Sequence, residues 1–206
     1  TIPSTYNGKP VTQILESGFA NSTNLKVLTI PSSITSIKTS AFDGCSSLET
    51  VYYCGTLSQW CQLTFEKSTS NPCYNGAELY IENTLLTTVV IPDDVTILGN
   101  YAFYGCNYIN QVTISQNVKT IGRYAFGKCT SITQVYIPAN VINIGAGSFS
   151  NSGLKSATFA SPDDWYTYSS TTGQRNTTMY TTYLTTSYLI HDDELYSKLN
   201  KPFLMI

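Results

Sequence analysis

Residues 95–140 carry one pattern twice. Val95, Leu98, Gly99, Ala102-Phe103, Cys106, Ile109, Val112 and Ile114 are followed, each at the same offset, by Val118, Ile121, Gly122, Ala125-Phe126, Cys129, Ile132, Val135 and Ile137. A fixed period of about 23 residues severely restricts the fold. One such unit cannot bury its own apolar residues, so copies must stack and share a continuous core.

The period extends outward in both directions. Ile14 and Phe19 pair with Ile37 and Phe42. Leu25, Leu28 and Ile30 give one apolar triplet, and Leu48, Val51 and Tyr53 the next. The triplet Leu86, Val89 and Ile91 then arrives well over one period after its predecessor, and the last, Leu154, Ala157 and Phe159, arrives one position early. Within a triplet the last two apolar residues alternate with polar ones, which is strand periodicity with one buried face. Pro31, Pro92 and Pro138 lack an N–H and should end those strands. Gly99, Gly122 and Gly145 suit turns in which positive φ is tolerated. The Ala-Phe-x-x-Cys segments read as short helical or 3₁₀ pieces. Rungs about 4.8 Å apart should stack Phe19, Phe42, Phe103, Phe126 and Phe149 as a spine.

Ile-Pro, Val-x-x-Ile-Gly, Ala-Phe-x-x-Cys and the apolar triplet recur together in register over about residues 1–160. This combination resembles the BspA-like (Treponema-type) leucine-rich repeat of bacterial surface proteins. The resemblance implies a right-handed leucine-rich-repeat solenoid with a parallel sheet on one face. It also implies an extracellular or surface-anchored protein that adheres to host or neighbouring-cell proteins. The expected architecture is an α/β repeat of mostly short parallel strands. It has about five repeats over 1–160, an island insertion at about 54–85, and a capping segment or start of a linker over 161–206. Thr1-Ile2-Pro3-Ser4 repeats Thr29-Ile30-Pro31-Ser32 from inside a unit, so the chain is expected to be cut from a longer one.

In the island, Thr56 is placed to cap a short helix through Trp60-Cys61. Glu78–Ile81, Glu82-Asn83 and Leu85-Leu86 read as a hairpin. Trp60 has two readings, a recognition residue on a projecting loop or a plug over a rung that lacks its own Val-x-x-Ile half. Beyond the repeats, Ser161-Pro162-Asp163-Asp164-Trp165 has the pattern of a helix start. Trp165, Tyr180, Tyr183, Leu184, Tyr188 and Phe203 are candidates to cover the solenoid end, and 169–178 is polar enough for a loop.

Chemistry is sparse. Charged residues make up 12% of the chain and the net charge is −2, which argues against a nucleic-acid footprint. No apolar run approaches the roughly 20 residues of a membrane span. Cys45, Cys106 and Cys129 belong to the repeat and read as buried thiols. Cys54, Cys61 and Cys73 lie in the island, where one disulfide would leave one cysteine over. His191, beside Asp192-Asp193-Glu194, is the sole histidine, and no motif pairs it with a nucleophile. Asp93-Asp94 and Asp163-Asp164 are explained by a turn and a helix start. No cofactor, metal site or catalytic residue is expected.

A surface remains. With Val112 and Ile114 inward, Gln111 and Thr113 point outward. Applied to every rung, this gives an uncharged hydroxyl- and amide-rich column in which Tyr52, Thr88, Gln111, Thr113, Gln134 and Tyr136 are the candidate partner-binding residues, with Trp60 as an island contact. Tyrosine offers contact area at small entropic cost. The leading expectation is a non-enzymatic protein-binding module, for which a monomer suffices. A structural spacer and a carbohydrate- or cell-wall-binding module are the alternatives.

Overall fold

The computed structural model describes residues 1–160 and three further strands, Tyr166–Tyr168, Arg175–Asn176 and Lys198–Asn200. The chain winds into about six stacked turns with two strand-bearing sides. The front side carries Val27–Ile30, Thr50–Tyr53, Glu78–Ile81, Thr88–Val90, Gln111–Thr113, Gln134–Ile137 and Ser156–Phe159. A second side carries Gln13–Ile14, Ser36–Ile37, Thr64–Phe65, Ile97–Leu98, Thr120–Ile121 and Asn143–Gly145. Paired neighbours run parallel in both, as in Thr50–Tyr53 on Val27–Ile30 and Thr120–Ile121 on Ile97–Leu98.

The turns lie over one another because each rung donates backbone hydrogen bonds to the next. Phe103 N–H reaches Ala125 O at 2.7 Å and Phe126 N–H reaches Ser148 O at 2.7 Å. This registry fixes the side chains. Phe19–Phe42, Phe103–Phe126 and Phe126–Phe149 stack at 5.5, 5.3 and 5.1 Å between ring centroids. The Ala-Phe-x-x-Cys segments are successive tight turns rather than helices, closed by bonds such as Cys106 N–H to Phe103 O. Strands do end at the residues before Pro31 and Pro138, Ile30 and Ile137.

Two expectations about the backbone change. Gly99, Gly122 and Gly145 do not take positive φ. A Cβ on Gly122 would lie 2.6 Å from Gly99 O, and one on Gly145 would lie 2.4 Å from Arg123 N, so close approach of rungs selects glycine there. Positive φ falls two positions later, at Tyr101, Tyr124 and Gly147, in register with Ser17 and Ser40.

The island is the second correction. It holds the missing rung rather than projecting from a gap. Glu78–Ile81 pairs in parallel with Thr50–Tyr53, after a step longer than the regular period, and Thr64–Phe65 pairs with Ser36–Ile37. The expected helix is present at Leu57–Cys61, with a capping box between Thr56 and Gln59. The hairpin is also present, with Thr84–Leu85 antiparallel to Glu78–Ile81 and both turn residues, Glu82 and Asn83, at positive φ. The chain bends again where Thr87 N–H reaches Leu85 O, and Thr88–Val90 then starts the next front run against Gln111–Thr113. One turn therefore lays down two front strands.

The extra strand puts the next turn out of step with the one below. No ladder joins Thr64–Phe65 to Ile97–Leu98 or Glu78–Ile81 to Thr88–Val90. The phenylalanine spine breaks at the same level, where Trp60 is buried in the core, packed on Tyr53 at 5.2 Å and on Phe65 at 5.5 Å. Trp60 Nε1 donates to Ala102 O at 2.8 Å. Asn71, fully buried, donates through Nδ2 to Tyr101 O and Ala102 O and accepts from Cys73 N–H. Side-chain donors thus replace the backbone ladder at this junction.

At the far end Lys198–Asn200 adds antiparallel to Asn143–Gly145, and Tyr166–Tyr168 pairs with it. Arg175–Asn176, inside the expected loop 169–178, is a strand on Thr167-Tyr168. The expected helix start at 161–165 and the candidate cap residues Tyr180, Tyr183, Leu184, Tyr188 and Phe203 lie outside the described residues, as does His191.

Replacing Trp60 with Ala removes the buried ring and one bridging donor together. We expect urea unfolding to show a loss of about 3–5 kcal/mol, with Trp60→Phe retaining part of it. A change below about 1 kcal/mol would show that the junction does not depend on this side chain.

Candidate binding face

On the front strands the buried and outward positions alternate. Leu28, Val51, Leu79, Val89, Val112 and Val135 line the core, and the residues on either side of each face outward. The structure places Tyr52, Thr88, Gln111, Thr113, Gln134 and Tyr136 on this one face, half-buried for Tyr52 and exposed for the rest. Trp60 is not among them. It is fully buried and presents nothing to a partner, because its ring packs in the core against Tyr53 and Phe65.

The missing rung adds residues to the face. Tyr80 sits beside Tyr52 with ring centroids 4.9 Å apart. Its hydroxyl donates to Glu78 Oε2 at 3.2 Å, and this bond to the carboxylate, followed by burial, holds the phenol pKa above its ordinary value. Tyr108, in the turn before Gln111–Thr113, is exposed, as is Val90 on Thr88–Val90. Leu79-Tyr80-Ile81 repeats the form of Val51-Tyr52-Tyr53 and Val135-Tyr136-Ile137. That signal was present in the sequence, displaced out of register by the longer step.

The face also has a notch. Neighbouring front rungs are tied at their entry by bonds such as Glu49 N–H to Lys26 O, Asn110 N–H to Thr87 O and Lys155 N–H to Thr133 O. No ladder joins Gln111–Thr113 to Gln134–Ile137. Across Gln111–Thr113, Gln134–Ile137 and Ser156–Phe159 lies a depression of about 330 Å³ lined by Val112 and Val135 together with Gln111, Gln134, Tyr136 and Thr158. The core shows through it. Val112 is 8% exposed where its counterparts Val51 and Val89 are 0%. Carboxamides, hydroxyls and a phenol together with two valines form a neutral, hydrogen-bonding recess.

The cysteines do not form a second site. All six are free thiols, with only Cys54 exposed. Cys73 is a buried free thiol that joins the core instead of pairing within the island. Cys45 and Cys129 donate to Phe19 O and Phe103 O, each at 3.0 Å. Burial pushes the Cys61 thiol up to about 12, with Asp94 adding to the shift, and burial raises Cys106 and Cys129 as well. Among the described residues no cluster of His, Cys, Asp or Glu is placed to hold a metal ion, and no helix is long and apolar enough to cross a membrane.

Six copies of the BspA type leucine rich repeat region match the chain, over residues 2–72 and 76–179. The chain belongs to this family. A leucine-rich cell surface protein from Faecalibacterium prausnitzii is similar in structure, with 26% identity and a TM-score of 0.54 over 84% of this chain and 52% of that one. A leucine-rich repeat protein from Bacteroides ovatus aligns at 19% identity and a TM-score of 0.42, over 75% of this chain and 49% of that one. The pneumococcal vaccine antigen PcpA aligns at 20% identity and a TM-score of 0.47, over 75% and 44%. The chain thus spans about half the length of these solved relatives. No curated protein matches it.

Thiol accessibility gives a direct check on this arrangement. In the native protein we expect a thiol-specific chromogenic reagent to titrate Cys54 alone, and all six cysteines after denaturation. A second fast-reacting thiol in the native state would contradict the buried column.

Proposed function

We propose that this chain is a non-enzymatic protein-binding module of a bacterial cell-surface protein, engaging its partner through the front face. The observation that carries the reading is the stacked pair Tyr52 and Tyr80 on the front strands, with exposed Val90 and Tyr136 on strands further along the same face. Tyrosines fixed by sheet geometry lose little entropy on binding, and such residues dominate interface energetics. The neutral recess between Gln111 and Gln134 then supplies a place for a partner's polar group, with Thr88 and Thr113 on the same surface.

Family membership supports the assignment to an interaction scaffold, and the F. prausnitzii relative, named a cell surface protein, supports an extracellular or surface location. In this reading residues 1–160 form the binding solenoid and 161–206 close its end, as the pairing of Lys198–Asn200 with Asn143–Gly145 suggests.

Labelled protein applied to cultured epithelial cells tests the proposal. We expect saturable binding, lost after trypsin shaving of the cells and retained after enzymatic deglycosylation. The combined variant Tyr52→Ala, Tyr80→Ala, Tyr136→Ala should bind more than about tenfold more weakly with an unchanged circular dichroism spectrum. Equal binding by that variant would remove the front face from the proposal. A pure spacer would bind no cells in either form.

A further inference from the structure

The third side of the solenoid, formed by the turns that carry the phenylalanine spine, holds a feature that protein capture on the front face does not use. Tyr101 and Tyr124 stack in parallel at 5.4 Å, and Tyr104 packs edge-on against both, at 5.8 and 6.3 Å. Arg123 lies over the Tyr124 ring at 5.1 Å and Lys128 over the Tyr104 ring at 5.6 Å. Three rings and two cations therefore share one patch.

Packing accounts for part of it. Rings of Tyr104 and Tyr124 rest on the next rung at Gly127 and Gly147, where a Cβ would fall 2.7 and 2.3 Å from them. It does not account for the backbone. Tyr101 and Tyr124 adopt φ of 57° and 52°, at a position filled by Ser17, Ser40 and Gly147 in other rungs. Left-handed backbone is unfavourable for bulky residues, and this turn imposes it in each of these rungs, so a tyrosine there carries a cost that glycine would avoid.

Nor does packing account for the charge. Every Asp and Glu of residues 1–160 lies at or before Asp94, whereas residues 95–160 hold Lys119, Arg123, Lys128 and Lys155 with no acid. The ion pairs among the described residues are Lys26–Glu49 and Lys38–Glu66, so neither Arg123 nor Lys128 has an acidic partner there. A guanidinium resting over a phenol has already given up part of its freedom, so it loses less when it receives a carboxylate.

We propose that Tyr101, Tyr104, Tyr124, Arg123 and Lys128 form a second binding site, for an acidic polysaccharide whose pyranose rings carry carboxylates. The apolar face of a sugar ring packs against the tyrosine cluster, and carboxylates of neighbouring sugars pair with Arg123 and Lys128. Charge and ring are both needed, which separates this ligand from an acidic peptide.

Affinity electrophoresis with three probes tests it. Polygalacturonate carries ring and charge, its fully methyl-esterified form the ring alone, and poly-L-glutamate the charge alone. We expect polygalacturonate to retard the protein and the other two to bind at least about tenfold more weakly. The variant Arg123→Gln, Lys128→Gln alters exposed side chains outside the core and should lose the retardation, while the Tyr52, Tyr80, Tyr136 variant keeps it. Equal retardation by poly-L-glutamate would overturn the sugar assignment. No retardation by polygalacturonate, or retardation unaffected by the double variant, would overturn the site.

Discussion

Every feature of this molecule depends on one backbone constraint, the hydrogen bonding of each turn to the turns on either side. These bonds place rungs at sheet spacing, so residues at equivalent positions must tolerate being stacked on their own kind. Phenylalanine meets the demand through offset rings. Cysteine meets it through a small apolar thiol that can donate to a carbonyl one rung away. Glycine meets it at Gly122 and Gly145, where the backbones come too close for any side chain. The outer surfaces inherit the same columnar order without the demand for identical residues, which is why the tyrosine pairs Tyr52–Tyr80 and Tyr101–Tyr124 arise on two sides of one scaffold.

Where the registry fails, the chain substitutes. The turn that contains Trp60 is longer than its neighbours and lays down two front strands, so its backbone does not meet the next turn along either ladder. An indole and a carboxamide supply donors to Tyr101 O and Ala102 O instead. Both are buried, and a buried carbonyl left unpaired is costly, so the polar side chains in the core are part of the repair.

The regular turns were legible because their pattern repeats: Val95 to Ile137 gives the strand sides, the phenylalanine stacks and the outward column directly. The island was legible only locally. Its helix cap at Thr56 and its hairpin at Glu82-Asn83 follow from short-range chemistry and appear as expected. Its role as a rung was hidden, because Leu79 and Ile81 stand further from Val51 and Tyr53 than the regular period allows, and only three-dimensional pairing shows that they answer to them. Tyr80 was missed for that reason. The notch between Gln111 and Gln134 had no sequence signal, since both residues sit in the most regular repeats, and an absent ladder leaves no mark on residue type. Likewise the spacing of Gly99, Gly122 and Gly145 marked a recurring glycine without distinguishing a turn from a close approach.

The doubled front strand has a mechanical corollary. In a stack whose stability is a sum of nearest-neighbour couplings, cooperativity passes from turn to turn through the bonds at each contact. Turns 1–81 are joined by continuous ladders, and so in large part are turns 88–160, whereas the contact between them relies on the hairpin, a few side-chain donors and the bond from Gly99 N–H to Cys61 O. The solenoid is thus one continuous winding composed of two elastic blocks. Tension along its axis concentrates at the level of Trp60, where the apolar core runs on without a break but the backbone ladders do not.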